Sequence, residues 1–505
     1  MTAAVRINRL CTGVPGLDQV LGGGIPEYSF NLIAGLPGCG KTTLAHQLMF
    51  GLASPERPAL YFTVLGEPPL KMLRYQQQFE FFDAARVGAS VHFVNLGEEV
   101  TTGDLGLVLE RIVAEVKAHA PALVFVDSFR SVLLSARGGG AAANGVPQFV
   151  QQLGVLMTGW QATTFLIGEY GDGADAHPVF TVADGLIWLQ QSVQCNSMVR
   201  KLQVLKMRGQ ATIPGLHPFR IGAAGIEVFA ALQEPACADW IEQRKDRGDG
   251  DGDAGPTRLS MGIPHLDGML GGGMPRGYSV LVAGPSGSGK SILAEAFLAE
   301  GARLGEAGVM VAFEQRPNRQ RTPRLTALIE GGQVALIDSG PTDLGIEEVA
   351  QRLIAQIGRI DARRVVIDSL SGFELALAPT FRQDFRESLL RLVKVLAAAG
   401  VTVLMTSELE DRYTDLRFSP YGAAFLTDAI IVQRYIEVGS RLRRLMAVVK
   451  VRASGHSDAL REYSIDADGI RIGAMLPEQE GLLGGRPTSR QGDPADADPA
   501  PGNHG

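Results

Sequence analysis

Short, continuously apolar runs recur along the chain, separated by longer stretches in which apolar positions return every third or fourth residue. The runs include Phe30-Asn31-Leu32-Ile33-Ala34, Ala59 to Val64, Leu123-Val124-Phe125-Val126 and Thr163-Thr164-Phe165-Leu166-Ile167. A second set follows: Ser279-Val280-Leu281-Val282-Ala283, Val309 to Phe313, Val365-Val366-Ile367 and Thr402-Val403-Leu404-Met405. Strands apolar on both sides belong to sheets covered on both faces, so the runs predict parallel strands joined by crossover helices. Leu44, Leu48 and Leu52 mark one such helix by their spacing of four. Lys201 to Arg208 and Arg443 to Arg452 alternate instead, as antiparallel strands with one wet face do. The pattern predicts an α/β fold of two tandem domains, each a mostly parallel sheet with helices on both faces.

The two sets are a duplication. Thr12-Gly13-Val14-Pro15-Gly16-Leu17-Asp18 through Leu21-Gly22-Gly23-Gly24-Ile25-Pro26 is echoed by Met261-Gly262-Ile263-Pro264-His265-Leu266-Asp267 through Leu270-Gly271-Gly272-Gly273-Met274-Pro275. A repeat this long is a whole domain, not a solenoid unit. Between the halves, Gln243 to Pro256 is charged and glycine-rich, with a single alanine as its only apolar residue, and cannot offset its ordering entropy by burial. The reading is a first domain over 1–242, a flexible linker over 243–257, a second domain over 258–476 and a disordered tail over 477–505.

Composition narrows the classes. At 45% hydrophobic and 20% charged, the 505 residues suit a globular chain with several cores. No stretch approaches the roughly 20 apolar residues of a membrane span, and the first residues do not resemble a secretion signal. Cys11, Cys39, Cys195 and Cys237 form no C-x-x-C pair and read as reduced thiols of a cytoplasmic protein. A net charge of −7 argues against coating nucleic acid by bulk electrostatics.

The chemistry sits after the first strand of each set. Gly35-Leu36-Pro37-Gly38-Cys39-Gly40-Lys41-Thr42 and Gly284-Pro285-Ser286-Gly287-Ser288-Gly289-Lys290-Ser291 both fit G-x-x-x-x-G-K-[ST]. Such a loop turns its backbone N–H groups onto phosphate, and its lysine reaches the β- and γ-phosphates of ATP. Its hydroxyl, Thr42 or Ser291, ligates Mg²⁺, and Thr43 continues the first loop into its helix. Asp127 and Asp368 each end an apolar strand and precede a serine, the place of a carboxylate that meets that metal. For orienting the attacking water, the second repeat offers Glu314, beside Gln315. The first has Leu65-Gly66 at the matching positions and Glu67 one step on. Lys206-Met207-Arg208 and Lys450-Val451-Arg452 recur in the closing strands as cation pairs facing one way. Their recurrence favours contact with γ-phosphate, including across a subunit boundary.

At these residues the chain resembles the KaiC family of circadian clock proteins, within the RecA-type P-loop ATPases. The resemblance runs from about residue 9 to 476 and includes the G-x-x-x-L-D-x-x-L-G-G-G-x-P opening, both phosphate loops and both K-x-R pairs. It implies two RecA-like domains and a double-ring homohexamer with ATP between neighbouring subunits. It also implies a slow ATPase in the first ring, a serine/threonine autokinase in the second, and a KaiB-like or other signalling partner. The family's paired glutamates are Leu65-Gly66 and Glu314-Gln315 here, so a first ring in which Glu67 misses the water would hold ATP mainly for assembly. The family's adjacent phosphosites fall on Ala424 and Phe425, which have no hydroxyl, and Thr427 is the nearest acceptor. Arg382 matches an arginine-finger position.

Two other classes compete. A nucleotide-gated scaffold for a signalling partner is favoured by the missing glutamates of the first half. A DNA motor would need a basic groove, and the one compact basic cluster, Arg441-Leu442-Arg443-Arg444, has no interleaved aromatics for base stacking. No N/T-K-x-D motif supports a GTPase.

Overall fold

The structure is a computed structural model. It describes residues 7–64, 69–135, 145–171, 177–194, 197–232, 238–246, 257–313, 322–338, 344–382, 385–409, 427–438, 440–475, 479–480 and 488–489. The chain divides into two units, Met1–Ala231 and Leu232–Gly505.

In the first unit the apolar runs become β1 (Phe30–Gly35), β2 (Ala59–Thr63), β3 (Val91–Asn95), β4 (Leu123–Asp127) and β5 (Thr163–Glu169). Four more strands close it: β6 (Gly185–Gln194), β7 (Ser197–Met207), β8 (His217–Gly222) and β9 (Gly225–Val228). The sheet order is β9-β8-β7-β6-β1-β5-β4-β2-β3, with β6 through β3 parallel and β7 to β9 antiparallel. Alternation within each run sorts the side chains to two cores. Ile33, Tyr61, Phe125, Phe165 and Ile167 pack with Leu44 and Leu48 of α1 (Lys41–Leu52). Leu32, Phe62, Val124 and Leu166 pack on the other face with Ile112 of α2 (Leu105–His119) and Leu153 of α3 (Gly145–Gly159). Phe125 stacks on Phe165 at 4.7 Å, and truncating such a buried ring to alanine costs about 3–5 kcal/mol.

The second unit repeats the plan with α4 (Ala238–Asp246), β10 (Ser279–Gly284), α5 (Lys290–Arg303), β11 (Gly308–Ala312), β12 (Val334–Asp338), α6 (Ile346–Ile360), β13 (Arg364–Asp368), α7 (Phe385–Ala398) and β14 (Thr402–Glu408). Its antiparallel extension is β15 (Ala429–Val438), β16 (Arg441–Val451), β17 (Arg461–Asp466) and β18 (Gly469–Met475), giving the order β12-β11-β13-β14-β10-β15-β16-β17-β18. The RecA-like α/β architecture expected from the sequence is present twice.

The glycine-rich opening motif is structural. Asp18 Oδ1 accepts from the Thr12 amide at 2.9 Å, and Asp267 Oδ1 from the Met261 amide at 2.7 Å, closing a turn ahead of each sheet. Gly24 and Gly273 lie at φ +113° and +105°, where a Cβ would stand 2.3 and 2.6 Å from the carbonyl oxygens of Leu10 and Leu259.

Two boundaries differ from the sequence reading. The first unit ends at Ala231, and α4 belongs to the second. Residues 243–246, read as linker, are the end of that helix. Arg244 Nη1 meets Asp361 Oδ1 at 3.0 Å, and its Nη2 donates to the Ala362 carbonyl at 2.7 Å. Composition missed this because one arginine with carbonyl and carboxylate partners anchors the end of a helix that has little apolar surface there. In the stretch read as tail, Gln479–Glu480 pairs antiparallel with Thr488–Ser489.

Candidate active site

Each phosphate loop spans from the end of the central strand to the start of a helix. In the first, Gly40 enters α1 at φ +104°, and a Cβ there would stand 2.9 Å from Ile221 Cδ1; Gly289, at φ +98°, would meet Ile465 Cδ1 at 2.6 Å. The crossing of β8 or β17 over the helix start therefore leaves room only for glycine. Gly35, Pro37, Gly38 and Cys39 complete the first loop, with Cys39 buried. Lys41 is 7% exposed and its Nζ donates to the Leu36 carbonyl at 2.8 Å.

Leu123, Phe125 and Asp127 share the α1 face of β4, which brings Asp127 to the first turn of α1. Thr42 Oγ1 donates to Asp127 Oδ2 at 2.8 Å, and the Tyr61 hydroxyl donates to the same oxygen at 2.8 Å. Burial pushes the Asp127 carboxyl above its ordinary value, while these two hydrogen bonds and the Lys41 charge pull it back. Burial, with Asp127 alongside, pushes the Tyr61 hydroxyl well above its own. A cavity of about 430 Å³ opens over the loop, lined by Lys41, Thr42, Thr63, Asp127 and Glu169 among others, Thr43 included. This volume falls in the range of small-molecule sites.

The second loop (Gly284, Ser286, Gly287, Ser288, Gly289, Lys290, Ser291) has the same backbone course and different partners. Lys290 Nζ donates to the Gly284 and Pro285 carbonyls, both at 2.8 Å. Burial lowers the Lys290 ammonium, and the nearby Glu408 and Asp368 carboxylates oppose that shift. Ser288 Oγ donates to Gln433 Oε1 at 2.9 Å, and the Tyr463 hydroxyl donates to the Ser288 carbonyl at 2.6 Å. Ser291 is exposed at the first turn of α5. Asp368, 7% exposed, accepts from the Thr406 hydroxyl on β14, whereas Asp127 is held by Tyr61 on β2. Ser369 Oγ accepts from the Gly372 amide at 3.1 Å, so the serine caps the following helix and the aspartate does not.

Hard oxygen donors at Thr42 and Asp127, one hydroxyl and one carboxylate side by side, fit a Mg²⁺ that keeps waters and takes phosphate oxygens. No group of three His, Cys, Asp or Glu that could hold a metal occurs among the described residues.

Several expected residues stand elsewhere. Glu67 and Glu314 lie outside the described residues. The K-x-R pairs are not beside their own loops. Arg208 and Arg452 lie just past the ends of β7 and β16, with their amides bonded to the carbonyls of Asp184 and Asp428. Those aspartates are level with Phe30 and Ser279, five residues before Gly35 and Gly284, and so roughly 17 Å below the loops along the sheet. The antiparallel return of β7 and β16 carries the cations to the opposite end of the strands. There Arg208 Nη1 meets Asp184 Oδ1 at 3.0 Å and Arg452 Nη1 meets Asp428 Oδ1 at 3.3 Å. Lys206 Nζ donates to the Phe180 and Thr181 carbonyls and Lys450 Nζ to the Thr427 carbonyl. Each pair stays together there: Lys206 feels the charges of Arg208 and Asp184, and Lys450 those of Arg452 and Asp428. Thr427 is fully buried at that same end. Arg382 is exposed, its guanidinium donating to the Leu377 and Leu375 carbonyls.

Tyr61, Thr406 and Thr63 escaped the sequence reading because their roles depend on register between strands. Glu169 and Glu408 were visible as the polar ends of apolar runs, in both repeats, without an assigned task.

A family model described as ATPase: KaiC matches residues 10–233 and 259–476. The circadian clock oscillator protein KaiC of Picosynechococcus sp. is 27% identical over 498 residues, covering 95% of this chain and 93% of that protein. KaiC 1 of Synechocystis sp. is 27% identical, covering 95% and 92%, and KaiC of Prochlorococcus marinus is 26% identical, covering 96% of each. With both repeats matched over their full sheets and both phosphate loops in place, the chain belongs to the KaiC ATPase family.

Proposed function

We propose that this protein is a Mg-ATP-dependent homohexameric ATPase in which each nucleotide lies between the phosphate loop of one copy and the K-x-R pair of its neighbour. The observation that carries the reading is the separation of the two cationic parts. The loop lysines and the K-x-R pairs lie at opposite ends of the strands of each sheet, so one nucleotide can touch both only when two copies meet head to tail. Lys41 and Lys290 would hold the β- and γ-phosphates, and Arg208 or Arg452 of the adjoining copy would exchange its aspartate for γ-phosphate and stabilise charge in the transition state. Thr42 with Asp127, and Ser291 with Asp368, would hold Mg²⁺, which draws charge from the phosphates when bound.

The second domain adds a serine/threonine autokinase step in this reading, with Glu314 orienting the acceptor hydroxyl. Thr427 lies at the end that faces a neighbour's loop, and its burial means that the segment must open before phosphate can land there. The nucleotide and phosphorylation states then act as a timing or signalling switch, read by a KaiB-like or other signalling protein in the cytoplasm. Among the described residues no helix is long and apolar enough to cross a membrane.

Light scattering after chromatography with and without Mg-ATP tests the assembly, and mass spectrometry of the same incubation tests for phosphate near Thr427. Hexamers only with nucleotide are expected. Lys41→Ala should chiefly weaken assembly, whereas Lys290→Ala should abolish phosphoryl transfer in the second domain. A monomer in saturating Mg-ATP refutes the reading.

A further inference from the structure

We propose that Glu169 is the catalytic carboxylate of the first nucleotide site, orienting and deprotonating the attacking water in the repeat that lacks the paired glutamates. The inference rests on the ATP site proposed above and names the residue that makes it hydrolytic.

Topology places this side chain. β5 lies between the loop strand β1 and the aspartate strand β4, and Glu169, its last residue, is in register with Gly35. Phe165 and Ile167 face α1, and Glu169 follows them at the strand period of two, on the same face as Asp127. Glu169 lines the cavity together with Lys41, Thr42 and Asp127, and Asp127 feels its charge. Among the described residues no hydrogen bond or ion pair engages it, and its side chain is exposed. It stands free over a phosphate loop.

A second observation points to a small polar ligand in the same place. Thr63, at the end of β2 and level with Asp127, lines the cavity, and its buried hydroxyl has no hydrogen-bond partner. A polar group bound in the cavity would satisfy that hydroxyl. A water between Glu169 and the γ-phosphate would separate two anions that otherwise repel. In the step, the water oxygen bonds to the γ-phosphorus as the bond from that phosphorus to the β–γ bridging oxygen breaks. ADP leaves with the electron pair. One water proton passes to Glu169 and from there to the phosphate released. The second repeat carries Glu408 at the matching register with Gly284, near Lys290.

The test uses the full chain carrying Lys290→Ala, so that phosphate release reports the first domain. Adding Glu169→Gln should lower kcat about 100-fold while the Kd for a fluorescent ATP analogue changes less than about threefold. Glu169→Ala should regain part of its turnover with added formate, which a merely structural carboxylate would not. Retained turnover in Glu169→Gln, or its loss in Glu67→Gln instead, overturns the role of Glu169 and leaves the ATPase reading intact. Absence of turnover in Lys290→Ala itself overturns the hydrolytic reading of the first site, and this role with it.

Discussion

His46 sits on α1 behind the first phosphate loop, fully buried, its ring edge-on to Tyr61 at 4.7 Å and 6.2 Å from Phe93. Neither ring nitrogen has a hydrogen-bond partner. Burial pulls its pKa from 6.5 down to about 3. The unfolded chain therefore takes up a proton below pH 6.5 that the folded chain refuses. The stability tied to neutral His46 is complete above that pH and is lost as the solution is acidified towards pH 3, by up to ~1.4 kcal/mol per pH unit. Thermal melts at pH 7.5 and 5.5 should show a larger drop in midpoint for the native chain than for His46→Leu. Equal drops would show that some other group sets the acid sensitivity. A histidine inside a helical run is plain in the sequence, but its lack of partners is not, because that depends on what β2 and β3 place around it.

At the level of elements, the two loops differ by a paired exchange. Ser288 and Gln433 are bonded and buried in the second repeat, and the matching positions in the first are Cys39 and Leu189, also buried. A buried hydroxyl without an acceptor is costly, so polar partners are retained or lost together. Gln433→Leu alone should destabilise the second unit by about 1–3 kcal/mol in urea unfolding, and adding Ser288→Cys should recover much of that. Additive losses would show that the two positions are independent. The phosphate loops and strand-terminal aspartates were legible because their chemistry is local: a glycine pattern, a lysine, a carboxylate at the end of an apolar run. The K-x-R pairs were recognised, but their distance from their own loops was not, since strand direction relative to the loop is settled by the antiparallel return. Tyr61 and Thr406 were invisible for a related reason. Each aspartate takes its extra donor from a neighbouring strand, and the two repeats use different neighbours.

At the scale of the whole chain, the duplication and α/β class were readable from hydrophobic periodicity, and the division between units was not. Charge and glycine content suggested a flexible joint from residue 243. Arg244 instead fixes the end of α4 to the backbone that leads into β13, the strand ending at Asp368. On the head-to-tail arrangement proposed above, the placement of the K-x-R pairs has a consequence for mixtures. Every molecule owns halves of two different seams, so two proteins broken in opposite halves can mend each other. Lys290→Ala copies and Arg452→Ala copies, blended in equal amounts before ATP is added, should regain about a quarter of the second-domain turnover, though neither regains any alone. A blend no more active than its parents would mean that loop and arginine never serve one nucleotide.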